Sequence, residues 1–194
     1  MEIVQKKLSN LHTFTFEEAS FNFAFEDNTG SDDVDIDYTH FPQKSSVTIE
    51  QNHWLRNVGI IWCIVGTVQL GQSLGAEGPL AVKCFWLMLG ILCLIWFRYS
   101  KVVYSVFKAE AGHVFVIQGD EHDRIIDEIH SRRKKQLLDW YGEINMQNDL
   151  DSEIEKFKWL SSEKVITDEQ ARQKILEAEY AYCEKMDLSQ RQFN

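Results

Sequence analysis

Cysteine is scarce in this 194-residue sequence, and basic residues are fewer than acidic ones. Cys63, Cys84 and Cys93 lie inside apolar segments and Cys183 stands alone near the C-terminus, so the sequence predicts neither a disulfide framework nor a CxxC metal site. The 20 Lys and Arg residues against 30 Asp and Glu residues give a net charge of -10, which argues against a nucleic-acid partner. Residues 1–11 are polar, so no signal peptide is expected there.

Catalytic and metal-binding signatures are also lacking. The sequence has no phosphate loop or nucleophile elbow, and no histidine is paired with a cysteine or carboxylate at a ligand-like helical spacing. Asp33, Asp35 and Asp37 form an alternating acidic row, but such a row faces solvent far more often than it holds a cation. We therefore expect no catalytic residue, no metal, no cofactor and no enzymatic activity. The histidines are His12, His40, His53, His113, His122 and His130.

Two long apolar segments lie between residues 54 and 97. No charged residue occurs from Asn57 to Ala76, and Lys83 is the only one from Gly78 to Phe97. A helix of roughly twenty such residues crosses a hydrocarbon core about 30 Å thick. The sequence therefore predicts a transmembrane hairpin with spans at about 54–74 and 79–98. The alternative is a buried helical hairpin of a soluble protein.

The residues that flank these segments suit a membrane interface, because aromatic and basic side chains concentrate there. Basic residues before the first span and after the second place both termini in the cytoplasm, as expected for a multi-pass protein of the inner (plasma) membrane. A lipid bilayer is thus an expected partner. The predicted membrane-interface residues are Trp54, Arg56, Lys83, Trp96, Arg98 and Tyr99.

The flanking regions show the period-two alternation of half-buried strands. Strands are predicted within residues 11–26, 32–38 and 47–49, and two more at 102–107 and 113–117, followed by an amphipathic helix that ends near Gly142. Neither flank buries enough apolar area to fold alone. Residues 1–52 and 101–142 are therefore expected to form one antiparallel β-domain that the hairpin interrupts.

The order of two strands and a C-terminal helix, from Val102 to Gly142, resembles the end of small bacterial pleckstrin-homology-like (PH-like) domains, although the hairpin insertion departs from their continuous chain. The predicted fold class is thus an α+β membrane protein: a PH-like antiparallel β-domain split by a transmembrane helical hairpin, plus a C-terminal α-helical hairpin. A basic run in the helix is a candidate lipid-headgroup contact, the alternative being a solvated helix face. This run consists of Arg132, Arg133, Lys134 and Lys135.

A polar linker at 143–150 precedes a helical tail at 151–185. Apolar residues recur at helical spacing on both sides of a capping box at Thr167–Gln170. The tail resembles the short C-terminal (SHOCT) helical-hairpin module, although Ala171 replaces a usual aromatic residue and Glu163-Lys164 a usual Gly. That resemblance implies oligomerisation; the alternative is a tail that folds back on its own β-domain. The candidate oligomerisation residues are Ile154, Phe157, Leu160, Ile166, Ile175 and Leu176.

These patterns together predict a non-enzymatic membrane protein. Its cytoplasmic β-domain would act as a binding or scaffolding module, with an unknown protein partner or a lipid headgroup as ligand, and its tail would promote homo-oligomer formation. The alternative is a subunit of an oligomeric channel or transporter. A conduction path normally shows ionisable residues inside the membrane, and only Lys83 is available here, so we favour the binding module.

Overall fold

The computed structural model describes residues 1–27, 30–72 and 84–192, with the side chains described as far as residue 185. It is an α+β structure with two antiparallel sheets, a four-stranded meander in the order β1-β2-β3-β4 and a three-stranded sheet in the order β5-β6-β7. The strands are β1 (Glu2–Lys7), β2 (Asn10–Phe16), β3 (Ser20–Glu26), β4 (Ser31–Asp37), β5 (Ser46–Glu50), β6 (Val102–Lys108) and β7 (His113–Ile117). The helices are α1 (His53–Gln72), α2 (Phe85–Tyr99), α3 (His122–Tyr141), α4 (Leu150–Ser162) and α5 (Asp168–Gln192), with a 3-10 turn at Tyr38–His40.

Phenylalanines at alternate positions of β2 and β3 build the core. Phe14 pairs with Phe23 and Phe16 with Phe21 across the two strands, and all four side chains are buried. Phe41, just after the 3-10 turn, packs on Phe107 of β6 with 4.7 Å between the ring centroids. The chain segments before and after the two inserted helices therefore share one core, which also includes Val114, Val116, Ile125 and Ile129.

Strand β1 was not predicted, because one of its two inward residues, Gln5, is polar. Ile3 and Gln5 are both buried, and the Gln5 amide pairs twice with the backbone of Ile117. Its Nε2 donates to the Ile117 carbonyl and its Oε1 accepts from the Ile117 amide, each at 2.9 Å. One polar side chain thus bridges β1 and β7 and satisfies a backbone unit that would otherwise be unpaired.

The prediction of a transmembrane hairpin is wrong. Helix α2 has 15 residues, about 22 Å at 1.5 Å per residue, which falls short of a core about 30 Å thick. Helix α1 has 20 residues but carries His53, Arg56 and Asn57 at its start and glutamines near its end. Among the described residues no helix is both long and apolar enough to cross a membrane. The predicted multi-pass inner-membrane location with cytoplasmic termini is therefore wrong as well.

The tail helices α4 and α5 pack on the end of α3. Leu137 of α3 is buried with Phe157, Leu160 and Val165 of the tail. The predicted capping box is present at the start of α5, where the Gln170 amide donates to Thr167 Oγ1 at 3.2 Å and the Thr167 amide to Gln170 Oε1 at 3.0 Å.

The segment that was predicted to be a polar linker is held in place by the fully buried carboxylate of Glu153. This carboxylate accepts from the Asn145 amide at 3.0 Å, from Asn148 Nδ2 at 2.7 Å and from Lys156 Nζ at 2.6 Å. Burial alone would raise the pKa of Glu153, but these hydrogen bonds outweigh it and the pKa is lowered. The segment is thus fixed to the tail rather than loosely joined to it.

Candidate interaction surface

Helices α1 and α2, together called the α1–α2 hairpin, pack backbone to backbone. A Cβ at Gly66 would lie 2.3 Å from the Leu87 amide nitrogen, and one at Gly90 would lie 2.6 Å from the Cys63 amide nitrogen. Gly59 and Gly66 are the only buried residues of α1, and Gly90 is the only buried residue of α2. Small residues at this spacing are what allow two helix backbones to approach so closely.

Two stacked indoles add to this contact. The rings of Trp62 and Trp86 lie 4.1 Å apart and nearly parallel, with an interplanar angle of 4°. Phe85 meets the edge of Trp86 at 5.2 Å. Aromatic pairs of this kind stabilise a contact beyond the area that they bury, so the stack fixes the relative position of the two helices.

The outward faces of the α1–α2 hairpin are apolar and exposed. No charged or histidine side chain occurs from Val58 to Gln72 or from Phe85 to Phe97. Thirteen large apolar side chains, four of them aromatic, are exposed here by 44% to 77%. Since a fully exposed aromatic side chain presents roughly 150–250 Å² and an aliphatic one less, the exposed area summed over the two helices is on the order of 1,000 Å². This total covers the faces of both helices, whereas the largest single apolar patch of an ordinary monomer is about 300–600 Å². The thirteen are Trp54, Ile60, Ile61, Ile64, Val65, Val68, Phe85, Met88, Ile91, Leu92, Ile95, Trp96 and Tyr99.

The structure brings most of the predicted membrane-interface residues together at one end of the hairpin. The rings of His53 and Phe97 lie 6.4 Å apart, which places the start of α1 beside the end of α2. Arg56 bonds the Asn57 side chain at 3.3 Å and stays exposed, as does Arg98. Lys83 lies outside the described residues. The predicted residues at this end are Trp54, Arg56, Trp96, Arg98 and Tyr99.

The basic run is not one surface. Arg132 donates to Glu128 at 2.6 Å and to the Glu17 carbonyl at 2.7 Å. Arg133 is buried, with 7% of its surface exposed, and is paired with Glu163 of the α4–α5 turn. The other two members, Lys134 and Lys135, are exposed. Sequence reasoning missed the Arg133–Glu163 pair, because residues 30 positions apart give no local signal.

The candidate oligomerisation residues of the tail point mostly into their own chain. Phe157 and Leu160 are completely buried in the cluster around Leu137 of α3. Only Leu176 is largely exposed, at 63%. The third helix that covers the tail is therefore α3, whose contribution the tail sequence alone does not reveal. The remaining candidates, Ile154, Ile166 and Ile175, are half-buried.

One hydrogen-bonded chain has the residue types of a hydrolase triad. Ser105 Oγ lies 2.8 Å from His122 Nε2, and His122 Nδ1 lies 2.7 Å from Asp123 Oδ1. A nucleophile must reach its substrate, yet Ser105 is only 4% exposed, while the Asp123 side chain is 94% exposed. The exposures are the reverse of a working triad, so these contacts tie the start of α3 to β6.

A second histidine lies inside the β-domain. His12 is buried, donates from Nδ1 to the Phe115 carbonyl at 2.8 Å, and stacks on Tyr104. Tyr104 in turn donates to Glu50 at 2.8 Å and accepts from Asn10. Burial lowers the pKa of His12 and raises the pKa of Tyr104. Within the described ranges, no three His, Cys, Asp or Glu side chains are arranged to hold a metal ion.

No family model, no curated protein and no solved structure matches the chain. The PH-like and SHOCT-like resemblances therefore stay predictions.

Proposed function

We propose that the protein is a non-enzymatic assembly module in which the α1–α2 hairpin of one copy packs on the hairpin of a second copy. The observation that carries this proposal is the apolar area of the outward faces, on the order of 1,000 Å². A stable protein–protein interface buries about 800 Å² on each partner, which is of the same order as the exposed apolar area of the two helices together.

The chemistry of these faces favours a second copy as the occupant. A two-fold interface uses the same patch on both subunits and must therefore be compatible with itself. An uncharged apolar face meets this condition, whereas a face with one sign of charge repels its own copy. Two helical hairpins pack into a four-helix arrangement, which is a common way to bury such stripes. Arg56 and Arg98, at the end of the hairpin, would remain at the rim.

Strand β5 offers further apolar surface next to the hairpin along the chain. It is an edge strand paired only with β6, and Val47 and Ile49 are exposed on one of its faces. Exposed apolar edge strands readily take up another chain. Only two residues separate the end of β5 from the start of α1, so a copy that covers the hairpin could also cover this edge.

In this proposal the β-domain is the part that binds or scaffolds a partner, and assembly presents it in at least two copies. Two linked binding surfaces hold a bivalent partner more strongly than one, because the second binding event becomes intramolecular. The tail then has a supporting part: it packs on α3 and completes the fold of each copy, instead of providing the main contact between copies.

The test is the molar mass of the full-length protein, measured by light scattering and by sedimentation over a range of concentrations. Ile64 and Leu92, exposed by 59% and 60%, are changed together to Asp. Leu176→Asp, an equally exposed position on α5, is the matched control. We expect a dimer or larger oligomer for the parent and the control. The double variant should dissociate at least about 100-fold more readily, since hot-spot residues contribute about 2 kcal/mol or more each.

Two results would contradict the proposal: a parent that is monomeric at all concentrations, or a double variant that assembles like the parent. If the monomeric parent also floats with phosphatidylcholine vesicles, lipid covers the hairpin instead of a second copy. Circular dichroism of each variant establishes that the β-domain remains folded.

A further inference from the structure

A cleft of about 460 Å³ lies where three segments of the chain meet. It is lined by Gln43 from the stretch after the 3-10 turn and by Lys164 from the α4–α5 turn. Helix α3 contributes Asp127, His130, Ser131, Arg133 and Lys134. This volume is within the range of about 300–1,000 Å³ that small-molecule sites occupy. The cleft is distinct from the α1–α2 hairpin and does not depend on the function proposed for that hairpin.

The charges around the cleft are not balanced. Glu163 is already engaged, since Arg133 pairs with it and Gln43 Nε2 donates to it at 3.1 Å. Arg133 Nε is buried and has no hydrogen-bond partner among the described residues. Burial, and then the positive charge of Arg133, lower the pKa of His130 at the same site. The Arg133–Glu163 pair is neutral. The remaining charged side chains of the cleft are therefore two lysines, Lys134 and Lys164, and one carboxylate, that of Asp127.

Lys164 stands at a position where glycine is the favoured residue. Its amide donates to the Ser161 carbonyl at 2.9 Å and the Val165 amide to the Leu160 carbonyl at 3.0 Å, which is the Schellman arrangement at the end of α4. Lys164 has a φ of 56°, in the left-handed region, where a side chain is unfavourable. The turn therefore gains nothing from lysine, whereas the cleft gains an ammonium group.

We propose that this cleft binds the phosphate group of a small molecule. Lys134 and Lys164 supply exposed ammonium donors, and Ser131 supplies a hydroxyl. Arg133 is too deeply buried to reach the ligand, and its pairing with Glu163 leaves the two lysines as the available positive charges. A phosphate group matches this set, because it is a compact anion with several acceptor oxygens, and lysine binds phosphate as a point charge.

The test is the binding of inorganic phosphate to the full-length protein. Binding is measured by calorimetry and by changes in amide chemical shifts, both at constant ionic strength. Lys164→Gly suits this test, since glycine fits the left-handed turn and the variant should fold at least as well as the parent. Lys134→Gln removes the second ammonium. Lys135→Gln is the control, because this exposed lysine neighbours Lys134 but lines a different cleft. Vesicles that contain phosphatidic acid are compared with neutral vesicles as a second source of phosphate.

We expect saturable binding of free phosphate by the parent and by Lys135→Gln. Binding should weaken at least about fivefold in Lys164→Gly and in Lys134→Gln, as expected for the loss of one hydrogen bond between charged groups. Three results would overturn the proposal: no saturable response in the parent, an equal loss in Lys135→Gln, or undiminished binding in Lys164→Gly. Binding to phosphatidic acid vesicles without any response to free phosphate would also overturn it, since that pattern indicates adsorption to a charged surface.

Discussion

At the scale of single residues, His12 should make the stability of the protein depend on pH. Burial lowers the pKa of His12 below its ordinary value of 6.5, although the hydrogen bond to Phe115 and the charges of Asp27 and Glu50 act the other way. The unfolded chain therefore binds the proton more readily than the folded chain does. The free energy of unfolding has its full value above the unfolded pKa and decreases as the pH falls towards the folded pKa.

The measurement is the melting temperature of the parent and of His12→Asn between pH about 8 and about 5, where most carboxylates stay ionised. Asparagine can donate from a position close to that of Nδ1 but does not titrate. The parent should lose stability as the pH falls, and the variant should lose less over the same interval. Equal slopes for the two proteins would show that His12 does not cause the dependence.

Sequence reasoning found some of these residue-level features but could not find their partners. The neighbours His122 and Asp123 look like a helix start, and α3 does begin at His122. Ser105, the other partner of His122, lies 17 residues earlier, and the contact depends on how α3 crosses β6. The pairing of Gln5 with Ile117 spans 112 residues. Such contacts are products of the tertiary fold, and no local pattern encodes them.

At the scale of elements, the packing of α1 on α2 should be sensitive to one added methyl group at Gly90. An alanine Cβ there would lie 2.6 Å from both the amide nitrogen and Sγ of Cys63, and 2.8 Å from the Gly59 carbonyl oxygen. Backbone atoms cannot move aside as a flexible side chain can. Gly90→Ala should therefore destabilise the hairpin by about 1–3 kcal/mol.

Gly71→Ala is the matched control, because no neighbouring side chain or packed backbone among the described residues lies within 4 Å of a Cβ at this position of α1. Alanine is the better helix former, so this variant should be neutral or stabilised by up to about 1 kcal/mol. Urea unfolding gives the free energies, and the near-ultraviolet circular dichroism of the stacked Trp62–Trp86 pair reports the helix contact directly. A Gly90→Ala protein with unchanged stability and an unchanged indole signal would contradict the close packing.

The elements themselves were largely predictable, because period-two alternation marks β2 to β4 and the strands after the hairpin. Strand β1 was not predicted, since one of its two inward residues, Gln5, is polar. The length of α2 was predicted wrongly for a different reason. An apolar run shows that residues avoid water, but not where the helix begins, and α2 starts at Phe85 although the predicted span starts at residue 79.

At the scale of the whole molecule, the sequence left two roles open for the tail: contact with a second copy or a return to its own domain. The apolar stripes of α4 and α5 are too large for two short helices to bury between them, and a partner had to exist. The structure places the C-terminal half of α3 in that role and adds the Arg133–Glu163 pair at the edge of the contact. The deciding residue, Leu137, belongs to another predicted domain, so the tail sequence could not identify it.

This arrangement predicts a different effect for two leucines of the tail. Leu160 is completely buried, so Leu160→Asp should destabilise the protein by at least about 3 kcal/mol, through a lost apolar contact and a carboxylate without a partner. Leu176 is 63% exposed, and Leu176→Asp should change the stability by less than about 0.5 kcal/mol.

Urea unfolding at low and high protein concentration, with hydrogen exchange of the tail amides, measures both effects. A contact within one chain gives a Leu160→Asp penalty that is the same at both concentrations, whereas a contact between copies gives a penalty that grows with protein concentration. Growth of that kind, or equal penalties at the two leucines, would mean that the tail does not pack on its own α3.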